Sequence, residues 1–219
     1  MTNFDAVRKN MVDCQLRTNA IVNEAVLDAM GAVPREAFLP DELQPIAYID
    51  EDLELGNGRF LIEPLVLARL LQMAEVAPSD AVLVVGCGSG YASAVLARMA
   101  SSVVTVECDA DRATISAAAL REQGCDNVVV VEGDLKKGCR DQAPYNVILF
   151  TGAVASIPPE IAEQLDENGR LVCVVDVECE GLGRAVLMTR HHGHLSERIV
   201  YDASTPILPG FAREEGFVF

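Results

Sequence analysis

Apolar runs alternate with amphipathic stretches along most of the chain, and they alternate as a strand–helix repeat. Ala81-Val82-Leu83-Val84-Val85 leads into Gly86-Cys87-Gly88-Ser89-Gly90 and then into a helix-forming stretch over residues 91–99. That order predicts a buried strand, a tight glycine turn and a helix. Residues 103–107 predict a second strand, and Asp109 caps a helix that runs to about Gln123 before Gly124 ends it. Residues 128–132 predict a third strand, followed by Gly133-Asp134. Residues 145–150 predict a fourth, ending in Thr151-Gly152. A short helix over 159–165, a turn at Asn168-Gly169 and a strand over 170–177 follow. Residues 184–190 and 195–201 then read as an antiparallel pair, and a tail containing Pro206, Pro209 and Gly210 runs to Phe219.

Ahead of this repeat the pattern is helical. Phe4, Val7, Met11, Cys14 and Leu16 fall on one face of a helix over 3–17. Asn23 caps a second helix over 24–32, with Val26, Leu27 and Met30 inward, and Pro34 stops it. An irregular acidic stretch covers 41–54, and Gly56-Asn57-Gly58 marks a sharp turn. Pro64 opens a helix so uniformly apolar that it must be buried. The expected class is α/β: a doubly wound, mostly parallel, Rossmann-like sheet with an antiparallel C-terminal edge and an N-terminal helical cap. Residues 1–60 form the cap and a substrate-side loop, and residues 61–219 form the sheet domain as one integrated unit.

Charge narrows the partners. The formal net charge is −16 and the pI about 4.5, so phosphate backbones and anionic membranes are repelled, and neither nucleic acid nor membrane is expected. The seven cysteines are scattered without a CxxC pair, which fits reduced thiols in a cytoplasm better than a disulfide framework or zinc site. The polar N-terminus lacks the apolar stretch of a signal peptide. His191, His192 and His194 flank Gly193 in a turn and read as solvated rather than as metal ligands, so no metal is expected. The oligomeric state is not legible.

Ligands of doubly wound sheets bind beyond the carboxyl ends of the strands. Glu107, 21 residues beyond Gly86, stands at such an end. Its carboxylate can accept hydrogen bonds from both hydroxyls of a ribose, or serve only as a solvated strand end. Asp134, one strand further, can accept from an adenine amino group. The dinucleotide fingerprint requires glycine where the chain has Tyr91. The glycines fall instead as G-x-G-x-G, which favours S-adenosyl-L-methionine over a nicotinamide cofactor. The candidate cofactor-binding residues are Gly86, Cys87, Gly88, Ser89, Gly90, Glu107, Cys108, Asp134, Leu135 and Thr151. Cys87 is either a reactive thiol near a helix start or a small residue filling a tight loop.

The chain resembles the protein-L-isoaspartate (D-aspartate) O-methyltransferase family over nearly its whole length. The resemblance is carried by Met11-Val12-x-x-Gln15-Leu16, Val26-Leu27-x-Ala29-Met30, Val33-Pro34-Arg35-Glu36-x-Phe38-x-Pro40 and Ala47-Tyr48-x-Asp50. It continues through Gly86-x-Gly88-Ser89-Gly90-Tyr91, Gly133-Asp134, Ile157-Pro158, Gln164-Leu165 and Gly169-Arg170-Leu171-Val172. It implies an S-adenosyl-L-methionine-dependent methyltransferase acting on carboxyl groups of damaged aspartyl residues, with a protein or peptide carboxylate as substrate. It also implies cofactor contacts at Gly86, Gly88, Glu107 and Asp134.

Several positions depart from the family pattern. The family loop resembles G-x-G-Q-T-I-S-Q-P, whereas this chain reads Gly56-Asn57-Gly58-Arg59-Phe60-Leu61-Ile62-Glu63-Pro64. Phe60 and Ile62 replace the threonine and serine that help bind cofactor and orient the acceptor carboxylate. Ile62 and Arg59 are therefore the residues at the catalytic positions. Ile62 supplies no donor, while Arg59 either pairs with the acceptor acid or is a solvated cation. Glu63 repels an anionic acceptor. Val84 stands where the family usually has an acid, and Leu135 where it has a second glycine; Leu135 either covers an adenine face or belongs to the core. A homologue with a different methyl acceptor, or without catalysis, is the alternative.

Overall fold

The computed structural model describes residues 3–176 and 182–213. Nine strands and six α-helices lie in them. The helical N-terminus comes first: α1 spans Phe4–Asn10 and α2 spans Glu24–Ala32. Asn23 caps α2 as its sequence predicts, its side chain accepting from the N–H groups of Ala25 and Val26 at 3.0 and 3.3 Å. Beyond α1 the chain winds on through a wider π turn over Met11–Leu16 and a tighter turn over Arg17–Asn19. The change of pitch rotates Cys14 outward, so it is exposed rather than on the inward face, while Met11 and Leu16 stay fully buried.

A hairpin of β1 (Leu53–Gly56) and β2 (Arg59–Leu61) follows, forming a two-stranded sheet of its own. Gly56, Asn57 and Gly58 turn it at φ of 88°, 54° and 67°. This is left-handed backbone, which glycine and asparagine tolerate. The hairpin crosses residue 60, the expected division between cap and sheet domain. Helix α3 (Pro64–Ala74) follows, with Leu67, Ala68, Leu71 and Ala74 fully buried. Gln72 on its polar side clamps the N-terminal segment. Its carbonyl accepts from the N–H groups of Val22 and Asn23 at 2.8 and 3.0 Å, and its amide donates to Ala20 O at 3.2 Å.

The main sheet has seven strands in the order β5-β4-β3-β6-β7-β8-β9. In chain order these are β3 (Ala81–Val85), β4 (Ser102–Glu107), β5 (Val128–Glu132), β6 (Tyr145–Val154), β7 (Leu165–Asp176), β8 (Gly183–His191) and β9 (His194–Ala203). The first five run parallel, and β8 and β9 add the antiparallel edge. Helices α4 (Tyr91–Ala97), α5 (Ala110–Glu122) and α6 (Pro159–Ala162) complete the layers. Asp109 caps α5, accepting from Arg112 N at 3.0 Å. The sheet divides the apolar interior in two. Val82 and Val84 face one cluster, which they share with Met11, Leu27 and Met30 of the cap. Leu83 and Val85 face the other, with Ile148, Phe150 and Leu171.

Two strands run further than their apolar runs predict. β6 passes through Thr151-Gly152 because the tail lies beside it. Ala153 N donates to Pro206 O, and Leu208 N to Ala153 O, both at 2.9 Å. The register against β7 shifts between Leu149 and Ala153, so the predicted break survives as a bulge. β7 begins at Leu165, ahead of the predicted turn, and the turn persists within it as Asn168 at φ 62°. Val177, the last residue of that predicted strand, lies outside the described residues.

Candidate functional site

The switch point of the sheet lies between β3 and β6, from which the chain departs to opposite sides. The loop at residues 86–90 follows β3 there. Gly86, Gly88 and Gly90 all have left-handed φ, at 87°, 58° and 94°, so the glycines are required by the path of the loop as well as by close approach. Ser116 Oγ of α5 donates to Gly88 O at 3.2 Å, and Thr151 Oγ1 donates to Gly86 O. Ser93 and Thr105 join α4 to β4 through a buried 2.7 Å hydrogen bond.

Glu107 is the centre of the site. It ends β4 and is fully buried. One carboxylate oxygen accepts from the N–H groups of Cys108 and Asp109 at 2.9 and 3.3 Å. The other accepts from Gly88 N at 2.9 Å and from Arg59 Nη2 at 2.6 Å. Arg59 is thus neither a solvated cation nor free to meet a substrate acid. It is 2% exposed and forms a buried ion pair with Glu107.

The other sequence-predicted residues divide by environment. Cys87 is 4% exposed, and burial pushes its thiol up to about 12, so it fills the loop as an unreactive thiol. Ser89 and Gly90 are buried, as is Thr151. Cys108 is exposed, and desolvation followed by the neighbouring Glu107 raises its thiol. Asp134 is exposed and closes a local turn, accepting from Lys136 N at 2.9 Å. Leu135 is buried in the core cluster of Val106 and Tyr145. Ile62 is 2% exposed and sits in the cap-side core, its carbonyl accepting from Arg35 Nη2 at 2.7 Å. Val84 is likewise fully buried in the core. The histidine turn stands apart at the sheet edge, with His191 Nδ1 3.1 Å from Asn168 Oδ1.

Four structural residues, Arg35, Glu36, Tyr48 and Tyr91, went unread as a network in the sequence. Arg35, fully buried, donates from Nε to Ala47 O at 2.7 Å, and its guanidinium lies 5.0 Å from the ring centroid of Tyr91. The hydroxyl of Tyr48 accepts from Arg35 N at 3.2 Å and donates to Glu36. These contacts tie the cap segment to itself and to α4, and the bond from Arg35 to Ile62 O joins it to the residue that follows β2.

A family model for protein-L-isoaspartate(D-aspartate) O-methyltransferase matches residues 7–202. The chain belongs to this family. It is 41% identical over 175 residues to protein-L-isoaspartate O-methyltransferase of Koribacter versatilis, covering 80% of this chain and 79% of that one. It is 38% identical over 189 residues to protein-L-isoaspartate O-methyltransferase 1 of Rhodopseudomonas palustris, covering 86% and 77%. Among solved structures, a protein-L-isoaspartate O-methyltransferase superposes with a TM-score of 0.82 at 24% identity, covering 93% of this chain and 66% of that one. A Plasmodium falciparum structure described as the same kind of methyltransferase, and solved with S-adenosyl-L-homocysteine, superposes with a TM-score of 0.79 at 18% identity. It covers 95% of this chain and 99% of that one. These superpositions establish the methyltransferase fold.

S-adenosyl-L-methionine is the family's cofactor; the glycine loop and the strand-end carboxylate of Glu107 suit it chemically, and in this arrangement the bay beside them is closed. Glu107 is closed over by Arg59. A Cβ at Gly86 would meet Leu208 Cδ2 at 2.9 Å, Arg59 Nη2 at 3.0 Å and Thr151 Oγ1 at 3.0 Å, and one at Gly88 would meet Phe60 O at 3.2 Å. The bay beside the glycines is therefore filled by β2 and the tail. A cavity of about 440 Å³ does open nearby, but its walls are Phe38, Pro40, Ser89, Asp109, Arg112 and their neighbours, not Gly86, Glu107 or Thr151.

Proposed function

We propose that the chain methylates carboxyl groups of protein substrates, with isoaspartyl residues as the acceptor and S-adenosyl-L-methionine as methyl donor. The observation that carries this is the buried Glu107 carboxylate, tied to the glycine loop by Gly88 N at 2.9 Å in a chain that matches the family over residues 7–202. In this proposal Gly86, Gly88 and Glu107 serve the nucleoside, Asp134 serves the adenine, and the 1–60 cap with its hairpin forms the substrate side. A cytoplasmic setting belongs to the same proposal. It is supported by the six described cysteines, all free thiols, and among the described residues no helix is long and apolar enough to cross a membrane.

A second reading is favoured by the acceptor loop. Phe60 and Ile62 offer no hydroxyl, and Ile62 is turned into the core. Glu63 sits half-buried beside Asp50 and Asp52, which together disfavour an anionic acceptor. The same scaffold would then serve a different, uncharged acceptor. The test is transfer of a labelled methyl group to an isoaspartyl peptide, with the aspartyl peptide of the same sequence as control. Label on the isoaspartyl peptide alone is the expected result. Cofactor binding without label on either peptide favours the second reading.

A further inference from the structure

We propose that Arg59 is an internal latch on the cofactor bay, occupying the position at Glu107 that a ribose diol would take. This rests on the reading of Glu107 as the ribose acceptor. Among the described residues Glu107 has four nitrogen donors, and three of them belong to the backbone of the loop and strand end. Only the fourth, Arg59 Nη2, comes from outside that framework. When Arg59 leaves, the carboxylate stays held by its backbone partners and one oxygen regains a lone pair facing the bay.

Three features make departure feasible. Arg59 is the first residue of β2, whose hairpin is hydrogen-bonded as a separate sheet and not as part of the main one. The hairpin's register is broken between Glu54 and Gly56, beside its turn. Arg59 is also poorly satisfied: Nε is buried without a hydrogen-bond partner among the described residues. A buried ion pair of this kind returns little net stability once desolvation is counted, so a diol whose hydroxyls donate to Glu107 competes with it. Leu208 leans on the same spot, 2.9 Å from a Cβ built at Gly86. Arg59 and the tail would therefore move together.

The consequence is a toll on cofactor affinity set by the fraction of molecules with Arg59 withdrawn. Removing the guanidinium removes the toll, tightening binding about ten- to hundredfold if the open form is a minor state. The full chain is titrated calorimetrically with S-adenosyl-L-homocysteine as wild type, Arg59→Gln and Arg59→Gln with Leu208→Ala, each first checked for native circular dichroism. The expected order of affinity is wild type, then the single variant, then the double variant. Equal affinities of wild type and Arg59→Gln overturn the latch and leave the cofactor reading standing. Absence of binding in all three folded proteins overturns both. Should the variants fail to fold, the wild type carries the test. With 15N-labelled arginine, the Arg59 Nε–H signal of the free protein is protected from solvent, and S-adenosyl-L-homocysteine must abolish that protection. A ligand that binds while the signal stays unchanged refutes the latch.

Discussion

Arg170 Nη2 stands 2.6 Å from Asp80 Oδ2, and the same guanidinium donates to the carbonyls of Ala74 and Glu75 at 2.8 and 2.9 Å. One side chain of β7 therefore fastens the end of α3 and the entry to β3, the strand that delivers the glycine loop. Arg170→Ala leaves a mostly buried carboxylate without its charge partner and two carbonyls with one donor fewer. It is expected to cost about 2–3 kcal/mol. Arg170→Lys recovers less than half, because an ammonium cannot span three acceptors as a guanidinium fork does. Urea denaturation of the three proteins measures this, and a loss in Arg170→Ala below about 0.5 kcal/mol, the size of a surface substitution, refutes it.

Glu63 makes stability depend on pH. Its carboxyl is pushed up to about 7, first by desolvation and then by Asp50 and Asp52. Unfolded, it titrates near the ordinary value of about 4.3. The folded state thus holds more protons between these values, and stability falls as pH rises through that window. Glu63→Gln is expected to flatten this part of the curve. Its Tm exceeds that of the wild type at pH 8, and the two converge near pH 4. Thermal melts across the range decide the matter, and parallel curves count against it.

The cysteines should separate sharply by reactivity. Cys14 is exposed, while burial pushes the thiol of Cys87 up to about 12 and that of Cys173 higher still. Brief treatment of the native protein with iodoacetamide at pH 8 is expected to modify Cys14 and leave Cys87 and Cys173 untouched until urea is added. Cys108 should react more slowly than Cys14, since Glu107 and partial burial disfavour its thiolate. Peptide mass spectrometry gives the order, and early labelling of Cys87 contradicts the structure.

Gly86 tolerates no side chain. Its φ of 87° is left-handed, and a Cβ there finds three atoms at 3.0 Å or closer. Gly86→Ala is expected to cost about 2–4 kcal/mol, the sum of a left-handed alanine and local overpacking. Gly124→Ala, also left-handed at 68° but with nothing within 4 Å, should cost only the conformational part, about 1–2 kcal/mol. Equal losses in the two variants would show that the crowding at Gly86 is relieved without cost.

Restoring the hydroxyls tests the acceptor loop. Phe60→Thr with Ile62→Ser should raise labelled transfer to an isoaspartyl peptide about tenfold, the worth of a hydrogen bond to a charged group. Ile62 is 2% exposed, so the same change should lower stability by about 2–4 kcal/mol. Transfer that remains at the wild-type level would shift the cause to Val84 or to Arg59.

Features governed by neighbours in sequence were legible before any coordinates. Asn23 and Asp109 cap their helices because the bonds span only two or three residues. The apolar runs and glycines place Glu107 at a strand tip beside the loop. What escaped depends on long-range approach. Arg59 meets Glu107 across 48 positions of sequence, and an arginine in a loop is by default exposed. Cys14 turns outward through a change of helical pitch that periodicity assumes constant. β6 runs past Thr151-Gly152 because a tail more than 50 residues further on supplies its partner.

That tail gives the bay a place in time. Residues 205–213 are the last described part of the chain to leave the ribosome, yet Leu208 rests on Gly86 and Gly152, glycines made much earlier. The sheet, the loop and Glu107 can be assembled in a nascent chain while this wall is still missing. The last part of that closure is thus a late step of biosynthesis, and a chain released short of Leu208 would carry a complete sheet with Arg59 still on Glu107 but without the tail's wall at Gly86 and Gly152.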